Sequence, residues 1–391
     1  VKVLFLTDSL SELDGVGRYS VRLIEALERQ RPGLEVRVLL ARKHRPTSPE
    51  VPGRWQVDVA LPPDYFFYMT PARFLVSRLL STWKTFRAAR KADLVHAIKD
   101  FPHSLVAVDA ARLAGKPCVA TGHGTYTIQP VLDERHRSRA LSAYRRFAAL
   151  ISVSRYTRER LLSIVPPEVL PPARVHVIPN AVDAESFVEP RELDGQPWHG
   201  RRFTLGIGEL KERKGHHLAL EAWLRVARDQ DDLHHFIVGN RAGDPYEEQL
   251  LAMASDVGLG DRVHLVGNVS EDQKIDLLQR AEVFLHTPVT AADGGFEGFG
   301  IVYLEAAAAG TVAIGTLDSG AEDAIVDGDS GCLVAQEADA VESALREVLS
   351  DDGLRSRLAA GARAHAAASS WDENARRVLE IYDAVAGGGA K

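Results

Sequence analysis

The feature that most constrains this chain is an alternation, run through twice, of short apolar or β-branched stretches with amphipathic helical ones. In the first half the stretches are VKVLFL, EVRVLL, LVHAI, CVATGH and LISVS, with an amphipathic segment from Val21 to Glu28 after the first. The pattern restarts with FTLGIG, HHFIVG, VHLVG, VFLHT, TVAIG and CLV. Strands separated by helical crossovers specify parallel sheets, so an α/β chain of two Rossmann-like, doubly wound domains facing a cleft is expected. A length of 391 residues accommodates both. Seven prolines crowd the stretch from Pro166 to Pro197, which places the junction near residues 183–200. The expected division is a first domain over residues 1–185 and a second over 186–370. A helix over 371–386 then packs back on the first domain, and a glycine-rich tail over 387–391 is frayed.

The net charge of −7 hides a division. Residues 1–185 carry 28 Lys and Arg against 18 Asp and Glu, a balance of +10, whereas residues 186–391 carry 19 against 36, a balance of −17. A basic half favours an anionic partner. Nucleic acid is not expected, because no aromatic residues interleave with the basic ones. Cys118 and Cys332, far apart and each in an apolar stretch, read as free thiols and not as a disulfide or a zinc site. The opening run is cut by Thr7 and Asp8 before it can serve as a secretory segment, and no stretch approaches the roughly twenty apolar residues of a membrane helix. A cytoplasmic location is expected.

The most informative segment is EGFGIVYLEAAAAG, which starts at Glu297 and follows the VFLHT strand and a loop. Gly294, Gly295, Gly298 and Gly300 ahead of an Ala-rich helix leave amides and a positive dipole end turned toward an anion. Glu297 and Glu305 lie eight positions apart, roughly 12 Å at 1.5 Å per residue if the stretch is mostly helical. Glycosidase carboxyl pairs stand closer, at about 5–9.5 Å. The wider spacing suits two acceptors gripping hydroxyls at opposite ends of one long ligand, a nucleotide sugar, with its diphosphate between them. Two glutamates on a helix are by themselves ordinary solvated surface; the glycines set these apart.

This segment resembles the E-x7-E element of the family 4 (group 1) glycosyltransferases of GT-B architecture. Further matches run in the family's order: DGVGRY, the HG of ATGHGTY, ISVSRYTRERL, VIPNAVDAESF, GELKERKG and SGAEDAIVDGDSGCLV. The resemblance implies a transferase that moves a hexose from a UDP- or GDP-linked donor to a hydroxyl of a glycan, lipid-linked or small-molecule acceptor, with retention of configuration. It implies that Glu297 holds donor-sugar hydroxyls, that Glu305 holds the ribose, and that Phe299 and Gly300 offer backbone amides. Ser319 and Gly320 match the segment that closes over the donor. The family's basic pair on the diphosphate is an arginine and a lysine; Lys214 matches the lysine, but Glu209 stands where the arginine is expected. Arg213, beside Lys214, is the candidate substitute, since a guanidinium can pair phosphate oxygens bidentately.

In the first half, Gly15 fills the place of the family glycine that lets the backbone approach donor and acceptor. GVGRYS is a poor dinucleotide fingerprint, lacking the last glycine and starting too far from its strand. His123 ends a strand between two glycines, where doubly wound sheets place ligands, and the resemblance sets it nearest the reacting carbon. Asp14, Arg18 and His96 are candidate acceptor contacts. No nucleophile is evident, so the leaving phosphate is expected to take the acceptor's proton while Arg213, Lys214 and amides stabilise its charge. No metal or other cofactor is then required, and Asp327, Gly328 and Asp329 read as a turn and not as a metal-binding D-x-D.

The segment RFLVSRLLSTWKTFRAARK, from Arg73 to Lys91, sets Phe74, Leu75, Leu79, Trp83 and Phe86 near helical spacing beside Arg78 and Arg87. Most such stripes face their own core, and that is the expectation here; an interfacial helix on an anionic membrane is the alternative. Two rival functions fit the fold: a non-catalytic nucleotide-sugar-binding protein, suggested by Glu209, and a nicotinamide oxidoreductase, disfavoured by the absence of G-x-G-x-x-G.

Overall fold

The computed structural model describes residues 1–11, 14–41, 51–63, 69–99, 101–241, 243 and 245–387. It divides into two units, Val1–Asn180 with Trp371–Lys391, and Ala181–Ser370. The tail over 388–391 lies outside the described residues.

Unit 1 is built on a parallel sheet of β1 (Lys2–Thr7), β2 (Glu35–Ala41), β3 (Gln56–Leu61), β4 (Leu94–Ala97), β5 (Cys118–Gly122), β6 (Ala149–Ser152) and β7 (Val175–Val177). Its helices are α1 (Gly15–Gln30), α2 (Pro71–Ala89), α3 (Ser104–Ala114), α4 (Thr125–Leu132), α5 (Glu134–Tyr144) and α6 (Arg155–Ile164), with the last helix of the chain, Trp371–Gly387, added to them. The strand order is β3-β2-β1-β4-β5-β6-β7, so the winding reverses between β1 and β4. Unit 2 carries β8 (Arg202–Ile207), β9 (Leu233–Val238), β10 (Val263–Gly267), β11 (Val283–Leu285), β12 (Val312–Thr316) and β13 (Gly331–Val334). Its order β10-β9-β8-β11-β12-β13 reverses between β8 and β11. The helices here are α7 (His216–Val226), α8 (Pro245–Ser255), α9 (Glu271–Arg280), α10 (Ile301–Ala309), α11 (Ala321–Ala324), α12 (Ala338–Ser350) and α13 (Asp352–Ala368), which makes the last helix α14. Each reversal is a topological switch point, the place where open α/β sheets leave a crevice at the strand ends.

The continuous apolar strands β1, β4, β5, β8 and β12 are buried along nearly their whole length, as both faces of a parallel sheet require. The strand QVDVAL was not anticipated. It is the edge strand β3, and the exposed start of its pattern hides it from a search for apolar runs. Residues 181–185, expected in the first domain, pack in unit 2, where the Val182 amide donates to Ser369 O at 2.9 Å.

α14 packs on α1 within unit 1: Trp371 meets Tyr19 edge-on at 5.5 Å, and Arg31 pairs with Asp383 at 2.6 Å. α2 reverses the usual amphipathic arrangement. Its buried residues are Phe74, Ser81, Thr82, Thr85, Ala88 and Ala89, mostly small or hydroxylated, while Leu75, Val76, Leu79, Leu80 and Trp83 stand half or more exposed. The expected core-facing stripe is therefore wrong for Leu75, Leu79 and Trp83, while Phe74 is buried and Phe86 half-buried. Small residues let α2 approach its neighbours closely, and the bulk points outward.

Candidate active site

At the carboxyl end of β8 the chain turns from Gly208 to Gly215, and Gly215 starts α7 from a left-handed backbone (φ 66°). A Cβ at Gly215 would stand 1.7 Å from the Thr287 carbonyl oxygen, so glycine is required for the turn to lie against the end of β11. The turn gathers Glu209, Lys211, Arg213 and Lys214. Glu209 accepts from Lys211 Nζ at 3.1 Å and from Arg213 Nη2 at 3.3 Å. The Lys214 ammonium bonds the Glu297 carboxylate.

Glu297 lies in the glycine loop before α10. Gly300 holds φ 80° at the N-cap, so the residues before Ile301 are not helical and the helix-based separation of Glu297 and Glu305 does not apply. The Gly320 amide donates to Glu297 O at 2.8 Å, and a Cβ at Gly320 would meet Gly298 O at 2.1 Å. The loop of Ser319 and Gly320 is thus seated on the glycine loop. Ser319 Oγ donates to Thr316 O and accepts from the Ala321 amide, so this buried hydroxyl serves its own turn. Phe299 is buried as well, which leaves its backbone as what it has to offer. Burial pushes the Glu297 carboxyl up; the Lys214 ammonium, helped by His286 and Arg213, outweighs this and holds it well below the usual carboxylate range.

Glu305, on α10, is buried and accepts from Lys274 Nζ at 2.9 Å, while Lys274 also pairs with Glu271 at 2.8 Å. Lys274 was not foreseen, because in EDQKIDLLQR it reads as an ordinary surface residue of a capped helix. His286, the residue after β11, was also missed; its Nε2 lies 3.7 Å from Glu297 Oε2. Asp327 belongs to a turn, its carboxylate accepting from the Leu333 amide at 2.8 Å.

In unit 1 the switch point holds an ion pair that was not anticipated either. Asp8, after β1, bonds Lys99, after β4; both are buried, and the Lys99 ammonium lies 4.3 Å over the Tyr126 ring. The adjoining Ile98 carbonyl accepts from His123 Nε2 at 2.8 Å, and Tyr19 meets the His123 ring edge-on at 4.8 Å. Burial lowers His123 to about 4, so the ring is neutral near pH 7, with its proton on Nε2 and Nδ1 left as an acceptor. Asp14 caps α1, accepting from the Gly17 amide and from Ser9 Oγ, each at 2.6 Å. Gly17 is the sterically required glycine, since a Cβ there would meet Ser11 O at 2.2 Å. Gly15 is different: no described atom lies within 4 Å of a Cβ built on it. Arg18 is half-buried in the first turn of α1.

His96 corrects the sequence reading. It is wholly buried, its Nδ1 2.5 Å from Tyr382 Oη and its Nε2 2.8 Å from Thr121 Oγ1, and burial lowers it to about 3. It ties α14 to the sheet and has no surface for an acceptor.

Family-level comparison fits this arrangement. The family described as Glycosyltransferase Family 4 matches residues 13–186, and Glycosyl transferases group 1 matches residues 192–365. A phosphatidyl-myo-inositol mannosyltransferase of Mycolicibacterium smegmatis is 34% identical over 216 residues, 55% of this chain and 53% of that protein. The chain thus spans about half the length of such relatives. A GDP-mannose-dependent alpha-(1-6)-phosphatidylinositol monomannoside mannosyltransferase of the same organism is 29% identical over 72% of this chain and 73% of that one. Among solved structures, Anabaena HepE in complex with UDP and glucose superposes with a TM-score of 0.76 at 19% identity, covering 98% of this chain and 99% of the other, a likeness of fold. With both halves matched in order on the two-domain GT-B fold, the protein belongs to the family 4, group 1 glycosyltransferases.

Proposed function

We propose that this protein is a retaining, metal-independent hexosyltransferase that moves a sugar from a nucleoside diphosphate to a hydroxyl of a lipid-linked acceptor. The observation that carries the reading is the gathering of Lys211, Arg213 and Lys214 with Glu297 at the switch point of unit 2. An otherwise acidic half concentrates cations where a diphosphate would lie. Lys214 and Arg213 stabilise the charge growing on the leaving phosphate, Glu297 takes sugar hydroxyls, and Glu305 takes the ribose. The backbone of Phe299 and Gly300 lies at the start of α10, where amides favour an anion. Ser319 and Gly320 support that loop. At the start of α1 in unit 1, Gly15 lets the backbone approach the donor phosphate and the acceptor, Asp14 and Arg18 are the acceptor contacts, and the Nδ1 of His123 accepts from a hydroxyl. The leaving phosphate accepts the acceptor's proton on the face it departs from, and the basic side chains take the part a metal would otherwise play.

The lipid-linked acceptor rests on α2. Five large apolar side chains stand exposed on one helix, flanked by the exposed cations Arg73, Lys84, Arg87 and Arg90, a composition suited to the interface of an anionic membrane. No helix among the described residues is long and apolar enough to cross a bilayer. The association proposed for α2 is peripheral, at the cytoplasmic face. The relatives named for phosphatidylinositol acceptors point the same way, and make GDP-mannose the first donor to try.

A thermal-shift panel of GDP-, UDP-, ADP- and TDP-sugars tests the donor, because ligand at about 100 times its dissociation constant adds roughly 2.7 kcal/mol. Transfer to lipid extracts, followed with and without EDTA and with the product anomer read by NMR, tests the reaction. Binding without transfer or hydrolysis would favour the non-catalytic alternative, and rescue only by added Mg²⁺ or Mn²⁺ would overturn metal independence. Sedimentation with phosphatidylglycerol vesicles at low salt tests α2; no binding there would leave a glycan or small-molecule acceptor.

A further inference from the structure

The Lys214–Glu297 pair poses a problem for the donor-site reading. Each group is proposed to take part of the donor, the ammonium a phosphate and the carboxylate sugar hydroxyls. In the structure each is held by the other. When the diphosphate draws Lys214 away, Glu297 loses its strongest partner in a place where little water reaches it. A buried carboxylate stripped of its cation is strongly disfavoured, so another group must take over.

The nearest such group is His286. It is fully buried at the end of β11, its ring stacked on Phe284 at 5.9 Å and tilted against Tyr303 at 5.3 Å and His216 at 6.1 Å. Its backbone is fixed on both sides: the amide donates to Ile314 O at 3.2 Å, and the carbonyl accepts from Tyr303 Oη at 2.6 Å. Among the described residues neither ring nitrogen has a hydrogen-bond partner. Buried imidazoles rarely lack partners, and those that do call for a reason. The Nε2 stands 3.7 Å from Glu297 Oε2, too far for a hydrogen bond and less than about 1 Å from becoming one.

We infer that His286 is a positioning residue of the donor site, a donor held in reserve for Glu297; this role rests on the proposed donor contacts of Lys214 and Glu297. As Lys214 turns to the phosphate, the Oε2 end of Glu297 closes on the Nε2–H of His286, and the other carboxylate oxygen is turned to hexose hydroxyls. Nucleoside diphosphate alone recruits Lys214; the intact nucleotide sugar also needs Glu297 held by His286. The ring is well placed for this because Phe284, Tyr303 and His216 prevent it from swinging away.

The test uses His286→Phe, which keeps an aromatic ring between Phe284 and Tyr303 but removes the donor, and His286→Gln, whose amide nitrogen reaches the Nε2 position. Affinity for GDP and UDP, affinity for the corresponding GDP- and UDP-sugars, and kcat are measured on the full chain. His286→Phe should keep nucleoside diphosphate affinity within about twofold while losing nucleotide-sugar affinity or kcat by at least about tenfold, and His286→Gln should recover most of that loss. Should His286→Phe fail to fold, His286→Asn, whose amide is too short to reach Glu297, replaces it. Equal losses for diphosphate and sugar nucleotide, or no loss at all, would overturn the inference. Glu297→Gln, run in parallel, separates the two levels: if it too leaves sugar-nucleotide binding and turnover unchanged, the donor-site reading itself falls, whereas a large loss there beside a silent His286→Phe removes only the role of His286.

Discussion

In unit 1 the lysine and carboxylate at the switch point, Lys99 and Asp8, come from the ends of adjacent strands and lie under the Tyr126 ring. In unit 2 the corresponding pair, Lys214 and Glu297, comes from two loops shaped by Gly215 and Gly300. Asp8, Lys99 and Glu297 are buried and Lys214 is half-buried, and each pair neutralises a carboxylate that could not stand alone there. They differ in what surrounds them. The first is anchored by regular strands, with the Ile98 carbonyl beside it already committed to His123. The second sits among further cations and a histidine whose ring has no hydrogen-bond partner among the described residues. A pair on strand ends is suited to hold a scaffold, whereas a pair on glycine loops is suited to open for a ligand.

The largest expected effects break this comparison directly. Lys99→Met should destabilise its unit by about 3–5 kcal/mol, because it leaves a buried carboxylate without its cation, and Lys214→Met should destabilise by less, because His286 can close on Glu297. The double variants Asp8→Asn with Lys99→Met, and Lys214→Met with Glu297→Gln, should recover much of that stability in denaturant unfolding. Donor binding should then part them: the unit 1 double variant keeps nucleoside diphosphate affinity and the unit 2 double variant loses it. Equal loss in both would mean that the two pairs do the same work.

Next in size is Glu305. Its carboxylate is held by Lys274 in the free protein, so the proposed ribose contact shares a partner already present. Glu305→Gln should weaken nucleotide binding by about 1.5–3 kcal/mol, for diphosphate and nucleotide sugar alike, in contrast to the sugar-selective loss expected at His286. Unchanged affinity would assign Glu305 to holding Lys274 alone.

The legible and illegible parts of the sequence divide along physical lines. Strands buried on both faces betray themselves as apolar runs, so β1, β4, β5, β8, β11 and β12 were readable; the half-buried edge strands β10 and β13 were still apolar enough to read, while edge strand β3 and short β7 were not. Glycine loops mark the proposed donor site because their geometry excludes other residues, and Lys214 and Glu297, both named from the sequence, pair beside them. Partners across the sheet leave no local trace: nothing in TDSL or AIKD says that Asp8 meets Lys99, since they lie 91 positions apart. His96 misled because a strand end beside a ligand site and a strand end beneath a docked helix look alike until α14 is seen to cover it. α2 misled for the opposite reason, since an apolar stripe carries no sign of which way it faces.

Acidification should separate the units more gently. Burial lowers His216 and His235 to about 3 and His264 to about 4 in unit 2, against His96 at about 3 and His123 at about 4 in unit 1. With folded values below the unfolded value of about 6.5, the unfolded chain takes up protons first. Stability is therefore intact above about pH 6.5 and falls as the pH drops toward 4. Burial also lowers His217, His234, His286 and His365 in unit 2, against His136 and His176 in unit 1, so unit 2 should be the more acid-labile. Hydrogen exchange at pH 7 and 5 would show it as an earlier loss of protection in β8 to β12; parallel loss in both sheets would remove the distinction.

The smallest effect expected is also the sharpest test of how unit 2 handles its anion. Glu209 occupies the place of an expected arginine and holds both Lys211 and Arg213, with its own side chain about half exposed. Such a pair contributes at most about 1 kcal/mol to stability, so Glu209→Gln should fold as the parent does. What changes is the availability of the cations, because two side chains lose the carboxylate that competes with phosphate for them. Nucleoside diphosphate affinity should rise by about two- to fivefold at low ionic strength, and the gain should shrink near 0.5 M salt, where exposed charges interact over only a few ångströms. Adding Arg213→Ala to Glu209→Gln should cancel the gain if Arg213 is the group released. A fall in affinity on Glu209→Gln would give the opposite answer: Glu209 would then aim Arg213 at the phosphate, and the charge reversal at this position would be part of the cradle.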